Sequence, residues 1–505
     1  MLIGLSLFAL VVGAVACGRA SGRSRADRLA LCVLPPALCV AVFLALDICL
    51  ASVWYHWNGS RLAPALALLK GVPLYCGPEQ GPIQSTMYPP GSYLAYLPAA
   101  LGSTPVAALF IASLLTIVYV CLAPALAFAR TAGRRGLPVI AATLALFLAS
   151  DLVEPLQHYM SKVHVDGPAM MFAMLACLAV TRFRPGHDRP LWLAALGVCL
   201  SLWCKQTMVP VVIVLPLFLG WLHGGRTALR FTGMLAAVGL LSAPAALLFA
   251  PWDVLVFQLL DMPSRYGFKE GGLAGALAEF GAFAWPSLLA FALVAGLRLA
   301  TSRGRGLPAL KAWATADPGF LLLVTAVLLT PVSLLGQWKF GGYANSYHNL
   351  YFLQVATLCL LIGSREIVLH VAVLLLTATV AIRLSGVSFG DELDALERCS
   401  DQVAYEFALA HPGELWFPWN PLATVMAEGR LDHQDRAVYD WTQAGQAVTT
   451  ERLLSGIPPS VERMAYPTDV RRGNHRTITW LMNGREYKAA RLDELPKFRV
   501  FPVRR

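Results

Sequence analysis

The sequence predicts an all-α polytopic membrane protein of about twelve transmembrane helices, followed by a small C-terminal α/β domain. Three observations lead there. The chain is 57% apolar and only 14% charged, whereas soluble domains carry roughly a quarter charged residues. Its apolar residues gather in separate runs, and the loops between the runs alternate in charge. After Gly386 the composition becomes mixed and charged, with no further run of spanning length.

Runs near 2–18, 30–53, 104–128, 137–150, 166–182, 190–203, 208–222, 229–250, 281–299, 318–335, 349–363 and 366–384 meet or approach the length a spanning helix needs, about 20 residues. The net charge of +10 is distributed in a pattern. Arg19, Arg23, Arg25 and Arg28 fall in the first loop, Arg130, Arg134 and Arg135 in the third, and Arg182, Arg184 and Arg189 in the fifth. Arg226 and Arg230 follow in the seventh, Arg298, Arg303, Arg305 and Lys311 in the ninth, and Arg365 in the eleventh. These are alternate loops, so the positive-inside rule assigns all of them to the cytoplasm. The basic excess is therefore a topology signal with some attraction to anionic lipid, and no nucleic-acid partner is expected. The first run lacks a basic start and is followed by another span. It is read as a retained helix with its N-terminus outside, not a removed signal peptide.

Residues 1–386 form the expected transmembrane domain, with a large first outer loop at 54–103, and 387–505 the extracytoplasmic domain. In this tail Glu392 through Ala410 has helical periodicity, "HPGELWFPWNP" reads as turn, short strand, turn, and "RTITWLMN" and "KFRVFPV" alternate as strands do. Of eleven cysteines most lie in spans as small apolar residues. Cys76 and Cys399 fall outside and could pair, with two unpaired thiols as the ordinary reading. No zinc-type spacing of His and Cys occurs.

Nearly every group able to do chemistry lies in the other set of loops. The first holds "ALALLKGVPLY" and "YPPGSYLAYLP", the second "DLVEPLQHYMSKVHV" running into "DGPAMMF". A tight turn reads "WCKQT", a later loop "PWDVLVFQLLDMPSRYGFKEGG", and the last before the tail "WKFGGYANSYHN". Long ordered loops are usually functional.

In this order, over residues 30–385, these elements resemble the GT-C class of membrane glycosyltransferases, nearest the bacterial mannosyltransferase-like and aminoarabinose-transferase-like branches. The resemblance implies a GT-C-like fold in a bacterial inner membrane and a polyprenyl-phosphate sugar donor. The acceptor would be a lipid, glycan or protein on the outer face. Such families place an acid near the start of the first outer loop as catalytic base. Here that stretch reads "WYHWNGSRLAPALALLKG", without Asp or Glu.

The base must then come from elsewhere. Asp166 is the first candidate, with a helix N-cap or a divalent-cation ligand (Mg or Mn) as its other readings. Asp47, an acid in an apolar run, and Glu79 are the alternatives. Lys205 reads either as a lysine snorkelling from a helix end or as a partner for the departing phosphate, with Arg265, Lys269 and Lys339 similar. His164, Tyr88, Asn345 and His348 are candidate substrate contacts, although Tyr88 with Pro89 and Pro90 also reads as structural.

A polyprenyl phosphate is already a good leaving group, so it needs cations more than a proton. The acceptor hydroxyl needs a base, worth roughly 10²–10⁴ in rate. Direct displacement would invert the anomeric carbon. A lipid or sugar transporter, a flippase, an O-antigen-ligase-like enzyme and a catalytically inactive GT-C-like binding protein remain open alternatives. A transporter would be expected to show inverted halves, and none are visible.

Overall fold

The structure, a computed structural model, describes residues 25–55, 57–84, 86–133, 136–149, 162–301, 306–364, 396, 398–468, 477–484 and 489–503. The expected spans at 2–18 and 366–384 lie outside these residues. So do Asp151, Glu154, the start of the tail helix at Glu392, and Arg19, Arg23, Arg134, Arg135, Arg303, Arg305 and Arg365.

The apolar runs among the described residues are helices. In chain order they are α1 (Arg25–Trp54), α2 (Asn58–Leu68), α3 (Gly91–Leu94), α4 (Pro105–Ala132), α5 (Leu137–Ala149), α6 (Asp166–Val180), α7 (Arg189–Cys204), α8 (Pro210–His223) and α9 (Gly225–Ser242). Then come α10 (Trp252–Val256), α11 (Met262–Arg265), α12 (Gly272–Thr301), α13 (Leu307–Ala316), α14 (Pro318–Trp338) and α15 (His348–Ser364). Six stretches among the described residues are long and apolar enough to cross a membrane, and α5, α6, α7 and α15 are shorter apolar helices beside them.

Local chemistry sets several ends. Thr104 accepts from the Ala107 amide and Asp317 from the Gly319 amide, each with proline as the first helical residue. Between helices in lipid there is little hydrophobic driving force, so close packing by small residues takes over. Ala169, Ala173 and Ala176 of α6 are fully buried, as are Ala194, Ala195 and Val198 of α7. At Gly197 of α7 a Cβ would lie 3.0 Å from the Phe172 carbonyl oxygen, so the two helices meet backbone to backbone there. Outward-facing leucines on α9 and α12, among them Leu240, Leu241, Leu288, Leu289 and Leu293, are exposed as a lipid contact requires.

The two ends of the bundle differ in chemistry. At one, Arg130 donates to the Leu178 carbonyl (3.2 Å) and the Thr181 hydroxyl (2.6 Å), and Arg230 pairs with Asp188. At the other lie the start of α6, the end of α7, the start of α15 and the C-terminal region.

The C-terminal region is α/β. It contains α16 (Ser400–Ala410), β1 (Leu415–Trp416), α17 (Pro421–Glu428), α18 (Asp435–Gln443), α19 (Thr450–Ser455), β2 (Arg463–Pro467), α20 (Thr477–Asn483) and β3 (Phe498–Pro502). The sheet order is β1-β2-β3. β1 runs parallel to β2 with Leu415 opposite Arg463, and β3 runs antiparallel with Ala465 opposite Val500. The segment "RTITWLMN", expected as a strand, is instead the helix α20. Its Ile478 and Met482, four apart, both enter the apolar cluster beneath it. Apolar packing at helical spacing overrode the β-branched composition.

This cap does not close its core alone. Its cluster of Trp416, Trp419, Trp441 and Met464 takes in Ile83 from the first long loop, with Phe257 and Met262. The Ile83 amide donates to Nδ1 of buried His433 (2.8 Å), and the Gln434 amide donates to the Ile83 carbonyl (3.0 Å). Arg452 donates to the carbonyls of Pro78, Gln80 and Gly81. Asp401 of α16 is pressed so closely on α2 that a Cβ at Gly59 would lie 2.7 Å from its carboxylate.

Burial pushes the Asp401 carboxyl up from 3.8 to about 7, and Asp432 moves the same way for the same reason. Between pH 4 and 7 the folded carboxyl keeps a proton that the unfolded chain has lost, so stability falls as pH rises through that window. Asp401→Asn is expected to flatten this part of the curve and to raise the thermal midpoint at pH 8. Unchanged slopes in the two proteins would count against the assignment.

Candidate active site

The segment 162–165 is held before α6 begins. Asn58 of α2 accepts from the Val163 amide (3.0 Å) while its own amide donates to Ser52. Tyr96 Oη donates to the His164 carbonyl (2.9 Å). Asp166 is the first residue of α6, and no side-chain cap bond closes this helix. Its carboxylate faces a cluster drawn from three other segments.

Lys205 Nζ donates to Oδ1 at 2.5 Å, and His348 Nε2 lies 2.6 Å from the same oxygen. Asn345 Nδ2 donates to Oδ2 at 3.0 Å, and His164 Nδ1 also bonds Oδ2. A carboxylate only accepts, so the His164 Nδ1 that meets it carries its proton, while His348 Nε2 sits between that carboxylate and the Lys205 ammonium, 3.2 Å away. The chain delivers these groups through its turns. The backbone of Lys205 becomes extended where α7 stops at Cys204, and His348 opens α15 just after the helical turn Ala344–Ser346 that holds Asn345. Asp166, Lys205 and His348 are 1%, 5% and 2% exposed. Lys205 therefore turns inward to a buried partner instead of snorkelling, and each charge depends on the other.

Above this cluster opens a cavity of about 610 Å³. Its walls carry Arg61, Lys162, Lys269 and Arg436, the aromatics Tyr55, Trp57, Tyr88, Tyr343, Trp419 and Tyr439, and from the cap Asp435 and Asp440. Cations lie over rings: Lys162 is 4.2 Å from the Tyr55 centroid and Arg436 3.5 Å from that of Trp57. A smaller cavity, behind Arg61 and Tyr88, is lined by Tyr93 and Tyr96. His164 borders both cavities, and Asn345 the larger. Asp166, Lys205 and His348 line neither. Burial is the largest influence on His164 and pulls its imidazole down to about 3. Asp166 opposes this, and Arg61 and Lys205 reinforce it.

The structure thus brings together Asp166, Lys205, His164, Asn345 and His348. Tyr88 lies beside them, its ring edge-to-face with His164 at 5.6 Å and equally far from Lys205 Nζ. Lys269, another of the expected cations, lines the larger cavity, and the remaining expected residues lie elsewhere. Asp47 is half-buried about two turns inside α1. Glu79 is exposed on the loop clamped by Arg452, and Arg265 is exposed at the end of α11. Lys339 donates to the carbonyls of Pro263 (2.7 Å) and Ser264, bracing that loop. None of these four lines the cavity.

Sequence reasoning missed Arg61, Lys162, Arg436, Trp419 and Asp440. A signal existed for the first: Arg61 is the single arginine in 54–103, in a loop set otherwise distinguished from the arginine-rich one. Among the described residues no group of three or more His, Cys, Asp and Glu is placed to hold a metal ion. The Lys205 ammonium already occupies Oδ1 of Asp166, so the arrangement favours an ion pair over the alternative reading of Asp166 as a ligand of Mg or Mn.

No protein-family model matches the chain, and no curated protein matches it. Among solved structures it is similar to the crystal structure of ArnT from Cupriavidus metallidurans bound to undecaprenyl phosphate. The two are 12% identical, with a TM-score of 0.47, over 92% of this chain and 97% of that one.

Proposed function

We propose that the chain is a membrane glycosyltransferase that moves a sugar from a polyprenyl-phosphate donor to a lipid, glycan or protein acceptor at the outer face, inverting the anomeric carbon. One observation carries the reading: a buried carboxylate–ammonium–imidazole cluster reaches, through His164 and Asn345, a cavity lined by cations and aromatics at one end of an apolar bundle. The exposed apolar flanks would take the prenyl chain. Arg61, Lys162, Lys269 and Arg436 would receive the phosphate and absorb the charge that grows on it as the glycosidic bond breaks. Tyr55, Trp57, Tyr343 and Trp419 line the same cavity and would pack against a sugar there. Loops rich in arginine gather at the opposite end, which is why the cavity is assigned to the outside.

Purified protein in lipid bilayers, supplied with polyprenyl-phosphate sugars radiolabelled in the sugar, is expected to release polyprenyl phosphate and pass the label to an acceptor or to water. Intact donor throughout, together with movement of the lipid across sealed vesicles, would establish a flippase instead.

A further inference from the structure

We infer that His164 takes the acceptor proton and that Asp166 is its positioning residue; this rests on the glycosyl-transfer reading above. Both oxygens of Asp166 are already engaged, Oδ1 by Lys205 and His348 and Oδ2 by His164 and Asn345. The carboxylate is 1% exposed and borders neither cavity. To accept a substrate proton it would have to break one of those bonds and reach past its own partners. His164, bonded to Oδ2, borders both cavities where Asp166 does not.

Bonding Nδ1–H to Asp166 fixes the tautomer and leaves Nε2, on the opposite edge of the ring, as the basic nitrogen. Among the described residues no hydrogen-bond partner of Nε2 is found, and His164, its side chain 9% exposed, borders both cavities, as do Arg61 and Tyr88. A hydroxyl in the small cavity and an anomeric carbon in the large one would lie on either side of it. The groups facing the ring are Asp166 on α6, Arg61 on α2, Lys205 after α7 and Tyr88 before α3.

The step balances without a co-reactant. The acceptor oxygen forms its bond to the anomeric carbon as its proton passes to Nε2. The bond from that carbon to the phosphate oxygen breaks, and its electron pair leaves with the polyprenyl phosphate. The imidazolium is held by Asp166 and later releases its proton to water through the cavity. With the site empty the imidazole is neutral, since burial and two nearby cations hold its proton affinity low. A donor phosphate arriving among those cations adds negative charge beside the ring and raises its basicity. Proton abstraction is thus tied to donor occupancy.

His164→Asn decides between a chemical and a structural role. Its amide nitrogen sits where Nδ1 was and keeps a donor toward Asp166, but no basic nitrogen remains. The expected result is an unchanged thermal midpoint, an unchanged donor KM, and a kcat lower by roughly 10²–10⁴. In His164→Ala, added imidazole is expected to restore transfer in proportion to its free-base concentration. Wild-type turnover in His164→Asn, or folded His164→Ala that imidazole leaves inactive, would overturn the assignment. A wild-type protein that cleaves no donor would instead sink the transferase reading on which it stands.

Discussion

Lys205→Met is expected to destabilise the protein by about 3–5 kcal/mol, the usual result of removing one partner from a buried ion pair. Lys205 and Asp166 are both inside, 2.5 Å apart, and no water shell is available to the carboxylate left behind. The deficit should also depend on pH. In the wild type the folded imidazole of His164 titrates near 3 and the unfolded one near 6.5. As pH falls through that window the unfolded chain binds a proton that the folded one refuses, and stability declines. Removing Lys205 removes one of the cations holding that imidazole low, so the variant should decline less steeply. Thermal midpoints of the two proteins should therefore converge between pH 6.5 and 4. Parallel curves would mean that Lys205 does not act on this ring.

Asp166→Asn is expected to lower sugar transfer at least about a hundredfold. An asparagine presents one acceptor and one donor edge where Lys205 donates to one oxygen and Asn345 to the other, so at least one N–H would face another N–H. It also carries no charge to hold an imidazolium. The variant leaves a buried ammonium without its counter-charge, so stability should drop too, and activity alone would not separate the two causes. The double variant Asp166→Asn with Lys205→Met removes both charges. Replacing a buried pair together is often close to neutral, so the midpoint should recover while single-turnover cleavage of the donor stays low. Recovery of both would assign the cluster a purely structural role. Wild-type transfer in Asp166→Asn would remove the carboxylate from the chemistry.

Much of the bundle was legible in the sequence because lipid imposes a strict rule. Backbone groups must be satisfied within the segment, so long apolar runs become helices and their ends fall close to where composition changes. The observed α1, α4, α6, α7, α14 and α15 begin and end within a few residues of the runs that predicted them. Asp166, Lys205, Asn345 and His348 stood out because each sits at the junction of a loop and an apolar run. There a polar residue has a choice between water and protein.

The rest was not local. Arg436, Trp419 and Asp440 reach the cavity only because the cap folds back onto the first long loop. Lys339 looked like Lys205, a lysine at a helix end, yet it caps carbonyls of a neighbouring loop. Only the tertiary arrangement separates the two. The strand expected at "RTITWLMN" failed for a related reason: its alternation is real, but Ile478 and Met482 found an apolar surface at helical spacing.

The bond between Ile83 and His433 joins positions 350 residues apart. During synthesis at roughly 5–20 residues per second, about 20–70 s separate the appearance of the two. For that interval the tyrosines and cations of the early segment stand without the cap that completes their wall, and Ile83 has no tryptophans to bury it. Newborn copies are therefore a natural client for folding helpers, and the cavity is walled on all its sides only when the last fifth of the polypeptide has emerged.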